Sequence, residues 1–136
     1  MKVRLDDGAF APERAHPTDA GLDIRSPVEV PLRAGKSAVI RTGVHIQLPK
    51  GTCGLLVSKS GMNVLEGITS TGLIDEGYTG EIVVKLYNHS TAHRTITRGQ
   101  KISQLVVVPV RYPKVELAEE IEGGPRGDHG FGSTGA

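Results

Sequence analysis

Tryptophan is missing and aromatic residues make up only 4% of the sequence, so no core can be built on large rings. The apolar 38% is therefore mainly aliphatic, and its β-branched share favours strands over helices. A single cysteine, Cys53, excludes an internal disulfide, and nothing points to an oxidising compartment. Charge of one sign is not in excess: the formal net charge is +1. That argues against a large footprint for duplex nucleic acid but leaves room for a small anion held by local positive charge. No apolar run approaches the ~20 residues of a membrane span. The opening MKVRLDDGAF lacks the apolar run of a signal peptide. A soluble cytoplasmic protein with no nucleic-acid or membrane partner is expected. The five histidines are scattered, so a structural zinc cage is not expected. Neither a P-loop nor a G-x-S-x-G elbow is present.

What the sequence does have is turn residues, with 18 glycines and 8 prolines. Between them run short apolar stretches, several of them two-periodic. Val28, Val30 and Leu32 alternate with polar or turn residues, as do Val44, Ile46 and Leu48. Segments 52–57, 81–87 and 102–110 are further strands, the last two rich enough in Val and Ile to be central. Turns are expected at Arg33–Gly35, Pro49–Gly51, Asn88–Ser90 and Arg98–Gly99. Helix is scarce: 61–66 can make one or two turns with Ser60 as N-cap, and 116–121 is either a last helical turn or a charged exit. This spacing predicts an all-β sandwich or barrel over residues 1–121. Residues 122–136, EGGPRGDHGFGSTGA, contain six glycines and one large apolar side chain, Phe131, so they form a tail that cannot fold alone.

Chemistry-bearing residues cluster in a few segments. GLIDEGYTGE (72–81) sets Asp75 after Leu73 and Ile74 and three residues before Tyr78. Alone, Asp75 reads as an exposed acid in a hairpin turn; the functional alternative is a strand-end carboxylate that takes a proton from water. LPKGTCGLLVSKSGM (48–62) ends in Lys59-Ser60-Gly61, a cation, a hydroxyl and a flexible backbone suited to phosphate oxygens. AGLDI (20–24) carries Asp23 and RGQKISQL (98–105) carries Gln104, each within an expected strand.

Taken in order with the tail RGDHGFGSTG, these segments resemble the five motifs of the homotrimeric dUTP pyrophosphatase family, spanning residues 20–135. The resemblance implies a jelly-roll-like β fold and a homotrimer with active sites shared between subunits. It implies hydrolysis of dUTP to dUMP and pyrophosphate, with Mg2+ held mainly by the triphosphate. Asp75 matches the water-activating carboxylate, and Gln104 a polar contact to the phosphates or the water. Tyr78 matches the aromatic beneath the deoxyribose. Ser60 and Gly61 match phosphate contacts, with Lys59 beside them. The main chain around Leu73, Ile74 and Val83 matches the hairpin that reads uracil. Asp23 matches a carboxylate near the metal's water shell. In the tail, Arg126 matches an arginine on the terminal phosphates, Phe131 the ring stacked on uracil, and Gly132-Ser133-Thr134 a stretch closing over the phosphates.

The sequence departs from the family pattern in several places. Lys59 stands where Arg is usual, keeping the charge but losing the planar fork. The segment between Gly61 and Gly72 is about three residues shorter than in many relatives. It lacks the usual uracil-pocket Asn, for which Ser70 or Thr71 can substitute. Ser103 replaces a common Ala, and His129 a common small residue. Rival readings are a dCTP deaminase-like enzyme, a non-catalytic nucleotide-binding regulator on the same scaffold, and a capsid-like jelly roll. Met62-Asn63 after Ser60-Gly61 follows the pyrophosphatase pattern and not the Ala-Arg of the deaminases.

Overall fold

The computed structural model describes residues 1–125 and 127. The strands are β1 (Lys2–Leu5), β2 (Gly21–Arg25), β3 (Val30–Leu32), β4 (Ser37–Gln47), β5 (Thr52–Val57), β6 (Ile68–Ile74), β7 (Glu81–Asn88), β8 (Arg94–Ile96) and β9 (Lys101–Pro109), with one short helix, α1 (Ser60–Glu66). Seven strands follow one another in the order β1-β4-β7-β6-β5-β9-β2, and β3 pairs with β8 in a small second sheet. All pairings are antiparallel. The seven-stranded sheet curls into the expected jelly-roll-like fold. β7 and β9 lie inside the strand order, as their density of Val and Ile predicts.

The core is aliphatic. Ile24, Leu32, Ile40, Val44, Ile82, Val84, Leu86, Ile102 and Leu105 are all but sealed from solvent, and among the described residues no aromatic ring joins them. β7 alternates strictly: Ile82, Val84 and Leu86 point inward while Val83, Lys85 and Tyr87 point outward. One buried amide closes the second sheet: Asn88 Nδ2 donates to the Leu32 and Ala92 carbonyls, tying β3 to the end of β7.

The course of β6 matters most for function. Residues 68–70 pair with β7, whereas residues 71–74 pair with β5. β6 thus passes from one face of the sandwich to the other, and the two arms of the β6–β7 hairpin part beyond Ser70.

Several expectations need correction. β4 begins at Ser37, well before Val44, because the strand continues across Gly43 (φ 68°), where the β4–β7 register shifts. Val28 lies outside β3 and is exposed. Of the two readings of residues 116–121, the charged exit holds: they continue without helix after β9. Gly35, Gly51 and Gly99 all have positive φ, in accord with three of the expected turns. Among the described residues, no helix is long and apolar enough to cross a membrane.

Candidate active site

The first polar centre forms where β2, β9 and β5 lie side by side. Asp23 sits opposite Gln104, and Gln104 opposite Val57. Two lysines converge on the Asp23 carboxylate: Lys59 Nζ lies 2.5 Å from Oδ1 and Lys101 Nζ 2.6 Å from Oδ2. Asp23 is only 4% exposed. Burial works to raise its pKa, but the Lys101 and then the Lys59 hydrogen bonds outweigh burial and hold the carboxyl below its ordinary value. An ionised buried carboxylate therefore fixes two ammonium groups at one corner of the sheet. Gln104 Nε2 donates to the Ser58 carbonyl at 3.0 Å. Its side chain lies against Gly21, where a Cβ would meet the amide oxygen at 2.5 Å.

Lys59 itself has extended backbone (φ −68°, ψ 130°) and precedes α1, so the helix starts one residue earlier than expected. Ser60 is the first helical residue, not the N-cap, and its exposed hydroxyl makes no capping bond. Gly61 follows on the same exposed turn, and Gly67 ends the helix in a left-handed conformation (φ 67°).

The second centre lies between the parted arms of the β6–β7 hairpin. Leu73, Ile74, Asp75, Tyr78 and Val83 line one cleft of about 350 Å³, closed beneath by Leu56 and Gly72. No strand pairing joins residues 71–74 to residues 82–85, so main-chain groups of both arms face this cleft. Asp75 is exposed immediately after β6, in a turn closed by the Tyr78 N–H on the Asp75 carbonyl. Tyr78 folds over Gly80 and its hydroxyl donates to the Glu81 carbonyl at 3.0 Å. The Glu81 carboxylate accepts the Gly43 N–H and pairs with Arg41.

The chain does not bring the two centres together. Gly54 is opposite Ile74 and Val57 opposite Thr71, so Asp75 and Lys59 stand at opposite ends of the β5–β6 pair. At ~3.3 Å per residue the separation is roughly 15 Å or more. Thr71 is exposed at the lysine end, and its neighbour Ser70 turns inward. The Ser70 hydroxyl donates to Ser103 Oγ, and Ser103 in turn to the Val57 carbonyl. Ser103 therefore has a buried partner, and the Ser70 hydroxyl is spent inside the fold.

Lys101 was not singled out from sequence, although its place in β9 beside β2 is what brings it to Asp23. Among the described residues, no three His, Cys, Asp or Glu side chains converge. Both Asp23 oxygens are already engaged by lysines, so Asp23 is not placed as a direct metal ligand. Arg126, Phe131, Gly132 and Ser133 lie outside the described residues.

Fold and geometry define a jelly-roll-like β protein with a cationic corner and a separate acidic cleft. The dUTPase family pattern matches residues 7–135. The deoxyuridine 5'-triphosphate nucleotidohydrolase of Clostridium acetobutylicum is 43% identical over 139 aligned positions, covering 99% of this chain and 96% of that protein. Its Corynebacterium glutamicum counterpart is 41% identical, covering 98% and 92%. Among solved structures, a mutant Staphylococcus bacteriophage 80alpha dUTPase with dUpNHpp superposes with a TM-score of 0.90 at 33% identity, covering 99% of this chain and 98% of that one. A mutant dUTPase from phage phi11 of S. aureus, described with a structural Mg(II) ion, gives 0.83 at 34% identity, covering 90% and 98%. The chain belongs to the dUTPase family.

Proposed function

We propose that this chain hydrolyses dUTP to dUMP and pyrophosphate, with Asp75 as the general base. The observation that carries this reading is the cleft between the β6 and β7 arms, which gathers Leu73, Ile74, Asp75, Tyr78 and Val83. Its volume, about 350 Å³, suits a nucleoside. Unpaired main-chain groups of the two arms match the edge of uracil. Cytosine exchanges a donor for an acceptor, and each unpaired buried polar group costs ~1–3 kcal/mol. Tyr78 sits beneath the deoxyribose and leaves no space for a 2′-hydroxyl.

Asp75 accepts a proton as water attacks the α-phosphorus; the bond from that phosphorus to the bridging oxygen breaks and pyrophosphate leaves. Lys59, Ser60, Gly61 and Gln104 bind and orient the phosphates, and Asp23 fixes the Lys59 charge and faces the metal's water shell. Bound with the triphosphate, Mg2+ supplies charge neutralisation at the phosphates. Thr71, exposed next to Gly72 of the cleft, stands in for the missing uracil-pocket Asn, a reading favoured over Ser70 because the Ser70 hydroxyl is already bonded to Ser103. The tail from residue 122 closes over the substrate, with Arg126 on the terminal phosphates, Phe131 on uracil, and Gly132 and Ser133 along the chain.

The working unit in this reading is a homotrimer. Two halves of one site at opposite ends of a strand pair support it, since the cleft of one copy needs the cationic corner of another. Val115, Leu117 and Ile121, 92%, 96% and 91% exposed after β9, give a second reason: an apolar arm of this kind fits against a second copy. The protein acts in the cytoplasm in this reading, limiting uracil in DNA and supplying dUMP.

Pyrophosphate release from dUTP, dCTP, dTTP and UTP, with and without Mg2+, tests the assignment. Fast release from dUTP alone, lost on chelation, is expected. Ammonia from dCTP would instead favour the deaminase reading, and tight dUTP binding without release the regulator. An Asp75→Asn variant is expected to lose 10²–10⁴-fold in kcat; parental turnover would overturn the base assignment.

A further inference from the structure

Asp75 makes no side-chain hydrogen bond or ion pair among the described residues. Its position is therefore set by the backbone of its turn. Far from Asp75, that turn is anchored at Thr79, whose carbonyl meets His45, and at Glu81. At the Asp75 end the anchor is Glu76. One oxygen of its carboxylate accepts the Gly51 N–H at 2.8 Å and the Tyr112 hydroxyl at 2.7 Å. Gly51 also receives the Val110 N–H on its carbonyl at 2.9 Å. Glu76, the 49–51 turn and the start of the exit after β9 thus form one knot. Asp75 and Glu76 line the same larger cleft with Tyr112 and Arg111.

We propose that Glu76 is a positioning residue for the hydrolysis. Its carboxylate, held by the Gly51 N–H and the Tyr112 hydroxyl, fixes the turn that carries Asp75 and ties it to the point where the chain leaves β9. The inference rests on the reading of Asp75 as the base. Charge supports the geometry. The Tyr112 hydrogen bond, then the Gly51 N–H, lowers the Glu76 pKa, and the same Glu76 bond pushes Tyr112 up to about 12. The acceptor is therefore an ionised carboxylate throughout the neutral range, and the bonds to it are charge-assisted. An ångström of drift in a general base costs on the order of a hundredfold in rate, so losing part of this hold has a measurable effect.

The test compares Glu76→Ala, Glu76→Gln, Tyr112→Phe and the Glu76→Ala/Tyr112→Phe double variant as full chains, with Asp75→Asn in parallel. Glu76→Ala is expected to lower kcat on the order of tenfold with KM within about twofold. Glu76→Gln keeps an acceptor for the Gly51 N–H and restores most of the rate. Tyr112→Phe gives a smaller loss, and the double variant is no slower than Glu76→Ala, because both changes break one knot. Independently of activity, ultraviolet titration of the three tyrosines is expected to show one ionising near 12, returning towards the ordinary value of about 10 in Glu76→Ala. Unchanged kcat in Glu76→Ala beside an inactive Asp75→Asn overturns the positioning role and leaves the base standing. A rise in KM at constant kcat also overturns it. Full activity in Asp75→Asn overturns the base assignment and the inference together.

Discussion

At the residue scale, Asp23 and its two lysines decide how the cationic corner works. A lone Lys59 on a flexible stem is a poor substitute for a forked Arg, but one held at 2.5 Å by a buried carboxylate has lost much of that freedom. Asp23→Asn keeps the shape and removes the charge. It is expected to cost about 2 kcal/mol of stability near neutral pH, because two lysines lose a buried partner. Asp23 has a lowered pKa in the fold, so its contribution is present above the ordinary carboxylate value and lost as pH falls through the folded one. Thermal melts of parent and Asn variant should therefore converge in acid, and a difference that persisted there would argue against the charge as its source. Asp23 and Gln104 were legible as polar residues within strand patterns. Lys101 was not, because only the pairing of strands nearly 80 positions apart in the chain brings it to Asp23.

At the scale of elements, the cleft between β6 and β7 follows from β6 changing partners. Sequence periodicity identified β5, β7 and β9 closely, since their apolar residues are dense. It missed the first half of β4, where polar Thr42 is buried and apolar Val39 is exposed, and it missed β1, whose side chains are all exposed. It could not reveal the parting of the hairpin, which depends on register with β5. Two contacts hold the turn that spans this gap. Tyr78 lies against Gly80, where a Cβ would strike the ring. Gly80→Ala is expected to swing the ring aside and narrow the preference for dUTP over UTP several-fold, read as the ratio of kcat/KM values; an unchanged ratio would separate Tyr78 from sugar selection.

His45 supplies the second hold. Its Nε2 meets Asp6 Oδ2 and its Nδ1 the Thr79 carbonyl, both at 3.0 Å. Both partners are acceptors, so both bonds require the doubly protonated ring. The Asp6 bond and then the Thr79 bond raise the His45 pKa, while His45 lowers that of Asp6. A raised His pKa stabilises the fold fully below the unfolded value near 6.5 and loses that effect as pH rises through the folded value. His45→Gln should therefore lower Tm most at mildly acidic pH, with the two curves meeting in alkali. Equal displacement at every pH would exclude the imidazolium.

The whole molecule poses the question that sequence motifs could not. Five motifs in order named candidate site residues but said nothing of where each lies relative to the others. Register does: Asp75 and the Lys59–Ser60 corner lie at opposite ends of one strand pair, too far apart to share a phosphate. If sites form between copies, an Asp75→Asn chain and a Lys59→Ala chain fail for complementary reasons. In each homotrimer every site lacks one component. When the two are refolded together, a competent site needs the acid from a Lys59→Ala chain and the corner from an Asp75→Asn chain. Random assembly at equal amounts makes about one quarter of sites competent, assuming free mixing into a closed cyclic trimer. Recovered activity near that fraction of the parental rate, absent when the separately folded variants are simply combined, is the expected outcome. A mixture no more active than its components would mean that each chain completes its own site, and the separation of the two centres would then have to be closed by a rearrangement within one subunit.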